Sequence, residues 1–182
     1  MASPDNILLH LPEEEEQQVR AVFARLAEFG FPAQKQKPHI TITFAQIMAD
    51  SVVERAAELL PAVIPSAVRR AGTVVFGTKS KQTVAWLLEA PEALENASRE
   101  VSAANPEGRG LRWTPHLTVG LRLPREMVPD YLRALDEVTS SRLKQLTAVR
   151  AALWRPRIQE LTVLAGLDST DAAASTPSPG WT

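Results

Sequence analysis

The chain contains no cysteine, which excludes disulfides, a thiolate nucleophile and thiolate metal sites. A charge excess is missing too, since 20 lysines and arginines against 21 acidic residues leave a net charge of −1. A protein that coats nucleic acid needs a strong positive excess, so any anion site here must be local. No apolar run reaches the ~18 residues that suggest a membrane span. Residues 1–6 lack the basic and apolar parts of a secretory signal, so the expected location is the cytoplasm, away from membranes. What is present is ordinary for a folded protein: 182 residues, 45% hydrophobic and 23% charged. Disorder, collagen and coiled coil are thereby excluded as whole-chain readings. The length fits one domain, or one domain built from two similar halves, with a core that needs no staples.

Punctuation along the chain predicts an alternation of strands and helices. An apolar run at 7–11 reads as a strand. Pro12 then opens a helix whose first turn holds Glu13 to Glu16, where acids suit the helix dipole and are read as solvated. Val19, Val22, Phe23 and Leu26 follow at helical spacing, and Gly30 stops the helix. In the next strand Ile40, Ile42 and Phe44 fall on one side and His39, Thr41 and Thr43 on the other. Ser51 with Glu54 signals a capping box for a second helix. Runs at 73–76 and 83–88 read as a hairpin. A third helix is expected at 91–104, a second histidine strand at 115–121, a fourth helix from about Pro129, and two last strands at 149–154 and 158–164. After Asp168 the composition is that of a flexible tail, in which Trp181 stands alone. The expected organisation is one domain at 1–168 and a tail at 169–182. Subtracting 39 from 116 gives a shift of 77. That shift carries residues 84–88 onto 161–165, strand onto strand, and suggests two pseudo-repeated lobes.

Two of the three histidines stand in one pattern, Pro-His-aliphatic-Thr-aliphatic: Pro38-His39-Ile40-Thr41-Ile42 and Pro115-His116-Leu117-Thr118-Val119. In a strand, residues i and i+2 share a face, so each motif offers an imidazole beside a hydroxyl. Imidazole holds or releases a proton near neutral pH without special tuning, and threonine is a neutral donor for a phosphate oxygen. Two such strands brought together supply one proton acceptor, one proton donor and two phosphate anchors, a set suited to in-line attack at phosphorus. His10 lacks a threonine at i+2 and reads as structural. A metal site on His39 and His116 lacks a carboxylate partner at ligand spacing, so no metal or other cofactor is expected.

The paired H-x-T motifs resemble those of the two-histidine (2H) phosphoesterases, in particular the 2′-5′ RNA ligase and RNA 2′,3′-cyclic phosphodiesterase proteins. The resemblance spans about residues 5 to 167. It implies an α+β, bilobal, duplicated fold, with two antiparallel-rich sheets facing across a central cleft and helices outside. It implies a metal- and ATP-independent phosphodiesterase that opens RNA 2′,3′-cyclic phosphate to a 2′-phosphate, some members joining or cleaving 2′-5′ linkages. By similarity His39 is the acid, His116 the base, and Thr41 and Thr118 hold the phosphate. Two departures stand out. Val119-Gly120-Leu121 separates the second motif from the basic Arg122, and Phe44-Ala45-Gln46 stands where many relatives have a glycine turn.

Lys35, Lys37, Arg112, Arg122 and Arg125 flank the motifs, and Arg150, Arg155 and Arg157 mark the last hairpin. With Trp113 and Trp154 they suit an RNA end or a small cyclic nucleotide, charge for phosphates and rings for bases. Arg122, Trp113 and Trp154 are the candidate substrate contacts, and Trp86 is read as core. A monomer suffices. The competing reading is a non-catalytic RNA-end or nucleotide-binding module of the same fold.

Overall fold

Among the described residues the chain forms eight strands and four α-helices, and apolar residues at 3.6-residue spacing coil the helices. The structure, a computed structural model, describes residues 3–166. The expected tail, with Trp181, lies outside the described residues. In chain order the elements are β1 (Asp5–His10), α1 (Glu13–Glu28), β2 (His39–Ala45), α2 (Asp50–Leu59), β3 (Ser66–Phe76), β4 (Lys81–Glu89), α3 (Glu92–Ala104), β5 (His116–Pro124), α4 (Val128–Val138), β6 (Gln145–Ala148), β7 (Arg150–Arg155) and β8 (Glu160–Gly166). The strands form an antiparallel sheet in the order β6-β3-β4-β5-β2-β1-β7-β8. Its two four-stranded halves meet at β2 and β5, where Ile40 and Leu117 are the register pair. The fold is α+β, and the two expected sheets are joined into one at this crossing.

The helices cover the face into which the aliphatic motif residues point. α1 buries Val19, Val22, Phe23 and Leu26, α3 buries Leu94, Ala97 and Val101, and α4 buries Val128, Tyr131 and Leu135. These join Ile40, Ile42, Leu117 and Val119 in one core. Full burial of each large aliphatic side chain contributes about 1.5–3 kcal/mol, which fixes both histidine strands on their core side. Among the described residues no helix is long and apolar enough to cross a membrane.

Several local expectations need correction. The second helix starts at Asp50, with Ala49 extended ahead of it and no side-chain cap bond. The Ala49 carbonyl already accepts from the Val53 amide at 3.3 Å, so Ser51 lies inside the first turn and no capping box forms. β3 begins at Ser66, seven residues before the expected 73, and its first part pairs with β6. Arg69, Arg70 and a bulge before Gly72 break the alternation there, and β6 is too short to show a period. The acidic first turn of α1 is not wholly solvated. Glu15 accepts from the Thr147 amide at 2.7 Å and its hydroxyl at 3.0 Å, and Glu16 pairs with Lys37 at 3.3 Å.

The 77-residue shift carries β2 onto β5 and β1 onto β4, but it does not carry residues 84–88 onto an equivalent strand. It places β4 onto β8, whereas β4 lies next to β5 and β8 is at the far edge, separated from β2 by β1 and β7. The strand that stands to β2 as β4 stands to β5 is β1, and β7 answers to β3 in the same way.

Candidate active site

Each motif begins with a proline that has no amide hydrogen and forces the residue before it into an extended conformation. The strand ladder therefore starts at the histidine itself, at His39 in β2 and at His116 in β5. The carbonyl two residues back is left in reach of the ring. His39 Nδ1 lies 2.6 Å from the Lys37 carbonyl oxygen, and His116 Nδ1 lies 2.7 Å from that of Thr114. A carbonyl only accepts, so each Nδ1 carries the hydrogen and each Nε2 is left for chemistry. Two distant segments thus present imidazole in the same tautomer by the same local device.

The crossing of β2 and β5 brings the motifs together. Ile40 and Leu117, each 0% exposed, face the core. Their neighbours point to the opposite face, where His39, Thr41, His116 and Thr118 are all half-buried. Stepping one residue along the antiparallel register places His39 opposite Thr118 and Thr41 opposite His116, at the roughly 5 Å spacing of paired strands. Both imidazoles and both hydroxyls therefore share one patch. Burial lowers the pKa of His39, the Lys37 carbonyl bond works against this, and the nearby His116 lowers it further. Phe76 lies against the His116 ring, with centroids 4.8 Å apart and planes at 55°.

Both strands carry a β-bulge immediately after the motif threonine. Leu8 pairs with Thr41 and Ile7 with Thr43, leaving Ile42 as the extra residue. Ala85 pairs with Thr118 and Val84 with Gly120, leaving Val119 as the extra residue. A bulge reverses the alternation beyond it. Thr43 therefore turns inward, 5% exposed, where its hydroxyl accepts from Asn105 Nδ2 at 2.8 Å. Phe44, expected beside Ile40 and Ile42, instead emerges on the histidine face with 57% exposure. The second bulge likewise exposes Leu121 and packs Gly120 against Tyr131, whose hydroxyl donates to the Val119 carbonyl at 2.5 Å. A Cβ at Gly120 would meet Leu123 and Tyr131 atoms at 2.7 to 2.9 Å.

A pocket of about 190 Å³ adjoins Thr41 and His116. Phe44, Phe76 and Trp113 form its walls, and Arg109, Arg112 and Glu107 stand around it. The sequence does not single out Phe44, Phe76, Arg109 and Glu107 as site residues; a bulge brings in Phe44, the end of β3 brings in Phe76 and the loop after α3 brings in Glu107 and Arg109, and none of these leaves a motif. Trp113 is 8% exposed and donates its indole N–H to the Thr41 carbonyl at 2.9 Å. It fixes the first motif strand as well as walling the pocket. Trp154 is half-buried in β7, opposite Asn6, and β1 separates it from β2. Arg122 is exposed at a left-handed backbone position, φ 54°, in a further irregularity of β5, and lies outside the pocket lining. Trp86 is core, with Arg70 stacked 5.1 Å from its ring centroid. Three of the other flanking cations are engaged elsewhere: Arg125 with the Thr78 carbonyl at 3.0 Å, Arg155 with Glu160 at 2.7 Å and Arg157 with Asp5 at 3.6 Å. Among the described residues no group of three histidine, aspartate or glutamate side chains is disposed to hold a metal ion.

The sequence profile of the 2′-5′ RNA ligase superfamily matches residues 11–158. Among solved structures, the chain is similar to Usb1 of Kluyveromyces marxianus with uridine monophosphate, with a TM-score of 0.50 and 13% identity over 88% of this chain and 97% of that one. A second structure of Kluyveromyces marxianus Usb1 gives a TM-score of 0.49, with the same identity and coverage. At this identity the likeness is one of fold. No curated protein matches the sequence.

Proposed function

Because the chain belongs to the 2′-5′ RNA ligase superfamily, we propose that it is a phosphodiesterase working by two-histidine proton transfer, without metal or ATP, on RNA 2′,3′-cyclic phosphate ends or small cyclic nucleotides. The observation that carries this is the shared patch of two Nε2-presenting imidazoles and two threonine hydroxyls across the β2–β5 crossing. A phosphate seated on Thr41 and Thr118 has one imidazole on either side. The neutral histidine takes a proton from water as its oxygen bonds to phosphorus. The protonated histidine gives its proton to the 3′ oxygen as the P–O3′ bond breaks. The products are a 2′-phosphate and a free 3′ hydroxyl, and both histidines have exchanged protonation states.

The similarity assigned the acid to His39. Its surroundings support the opposite division, because burial and the His116 charge both favour its neutral form, the form a base needs. We therefore assign the base to His39 and the acid to His116. The pocket beside Thr41 and His116 has walls of aromatic rings and two arginines, a lining suited to the nucleoside next to the phosphate. The nucleotide in the Usb1 structure of similar fold agrees with an occupant of that size. The test is turnover of 2′,3′-cyclic nucleotides and cyclic-phosphate-ended RNA in EDTA, with product identified by phosphorus NMR. The reading predicts a 2′-phosphomonoester. Equal binding by the wild type and His39→Ala with no product from either would replace it with a binding module.

A further inference from the structure

All three histidines of the chain lie on three adjacent strands. His10 ends β1 directly opposite His39 in β2, which places both side chains on one face of the sheet. On its other side His10 pairs with Arg150 of β7. The Arg150 Nε–H donates to His10 Nδ1 at 3.3 Å. Guanidinium can only donate, so Nδ1 is the bare nitrogen and the ring hydrogen sits on Nε2. This is the tautomer opposite to that of the two motif histidines. His10 is 4% exposed.

The equivalent place in the other half differs. His116 pairs across the ladder with Leu87, and Leu87 pairs in turn with Gly72. The two motif strands match in proline, tautomer, threonine and bulge. They part at the side chain behind the histidine, where one half has an imidazole pinned by an arginine and the other a leucine beside a glycine.

We infer that His10 is a positioning residue of the catalytic centre: pinned by Arg150, it backs His39 with a neutral, water-excluding ring and makes the two otherwise matched histidines chemically unequal. The inference rests on the two-histidine reading above for its catalytic meaning, though not for its structural content. The charged and titratable groups facing the pair are Arg150 from β7, Lys37 from the turn before β2, and His116 from β5, and Lys37 is itself bridged by Glu16 of α1 at 3.3 Å. Burial is the largest cause holding His10 to a pKa of about 3, followed by Arg150, Lys37 and His39. It therefore passes no proton near neutrality and acts only through where it sits. Removing its bulk admits water to His39 and relaxes the desolvation that keeps that ring neutral.

The experiment is a histidine titration by heteronuclear NMR on the whole protein, the three rings assigned with His39→Ala and His116→Ala. In the wild type the His10 ring is expected to hold the Nε2–H tautomer without titrating through the neutral range. In His10→Ala the His39 midpoint should rise toward the ordinary histidine value, and in His10→Phe, which keeps the bulk, it should stay low. The acidic limb of the kcat/KM profile should follow the His39 midpoint in each variant while the alkaline limb stays fixed. The loss of rate should be smaller than the roughly 10² to 10⁴ expected for a catalytic proton-transfer group. A wild-type His10 that titrates like a free histidine, or an unmoved His39 midpoint in folded His10→Ala, overturns the inference. If His10→Ala does not fold, the wild-type titration and tautomer decide. A wild type with no hydrolysis rejects the catalytic reading and leaves the NMR outcomes in force.

Discussion

A proline ahead of each histidine decides which ring nitrogen meets the substrate, because it ends the ladder and leaves a carbonyl for Nδ1–H. The acid–base pair built on Nε2 gives residue-scale expectations. His39→Ala and His116→Ala should each lose about 10² to 10⁴ in kcat, and the double variant little more than the worse single one, since the two act as a unit. Thr41→Ala and Thr118→Ala each remove a hydrogen bond to a charged group, worth about 1.5–3 kcal/mol. Steady-state kinetics should show roughly 10- to 150-fold losses in kcat/KM, milder than those of the histidines. His10 has a stability signature of its own. Its folded pKa of about 3 lies below the unfolded value of 6.5, so between these the unfolded chain binds the extra proton. Its contribution is fully present above the unfolded value and is lost as pH falls through that window, at up to about 1.4 kcal/mol per pH unit. Denaturant melts of His10→Phe across that range should show a shallower acid slope than the wild type; an equal slope would mean that His10 is not held neutral.

At the scale of strands, the paired bulges set what the site can touch. Ile42 and Val119 are the extra residues, each one step beyond its threonine, and they turn Phe44 and Leu121 outward. The second bulge depends on Gly120, because a Cβ there would press on Tyr131 and Leu123. Gly120→Ala should cost about 1–3 kcal/mol by overpacking, read as a lower midpoint of denaturation. Trp113→Phe strands the Thr41 carbonyl that the indole serves, with a cost of about 1–3 kcal/mol and a fall in kcat as the first motif loosens. These cases show what the sequence could tell. The motif residues His39, Thr41, His116 and Thr118 were legible because period two and chemistry coincide there. Phe44 was not, since a bulge leaves no local mark and only the distant Asn105 explains why Thr43 can point inward. The pairing of His10 with His39 and Arg150 is likewise a long-range register that no spacing in the sequence encodes. Trp113 looked like a stacking residue, and its N–H turned out to be committed to the backbone.

In the whole molecule, two half-sheets meet at the pair Ile40 and Leu117, and the histidines flank that seam. The shift of 77 relates both the motifs and their bulges. Charge is sparse across this surface: the net value is −1, Lys37 is bridged to Glu16, and Arg109 and Arg112 are the cations lining the pocket. Two phosphate contacts to a single strand give a slope of about −1.4 in log affinity against log salt. Titrations of an RNA end at several salt concentrations should return that shallow slope, and one near −5 would point to an extended RNA track elsewhere. The central claim is that one neutral and one protonated histidine share the reaction. It is tested most directly by the pH dependence of kcat/KM for 2′,3′-cyclic nucleotide hydrolysis in EDTA. The account predicts a bell, with its acidic limb below the ordinary histidine pKa because His39 is held low. A single sigmoid, or activity that vanishes in EDTA and returns with a divalent metal, would contradict it.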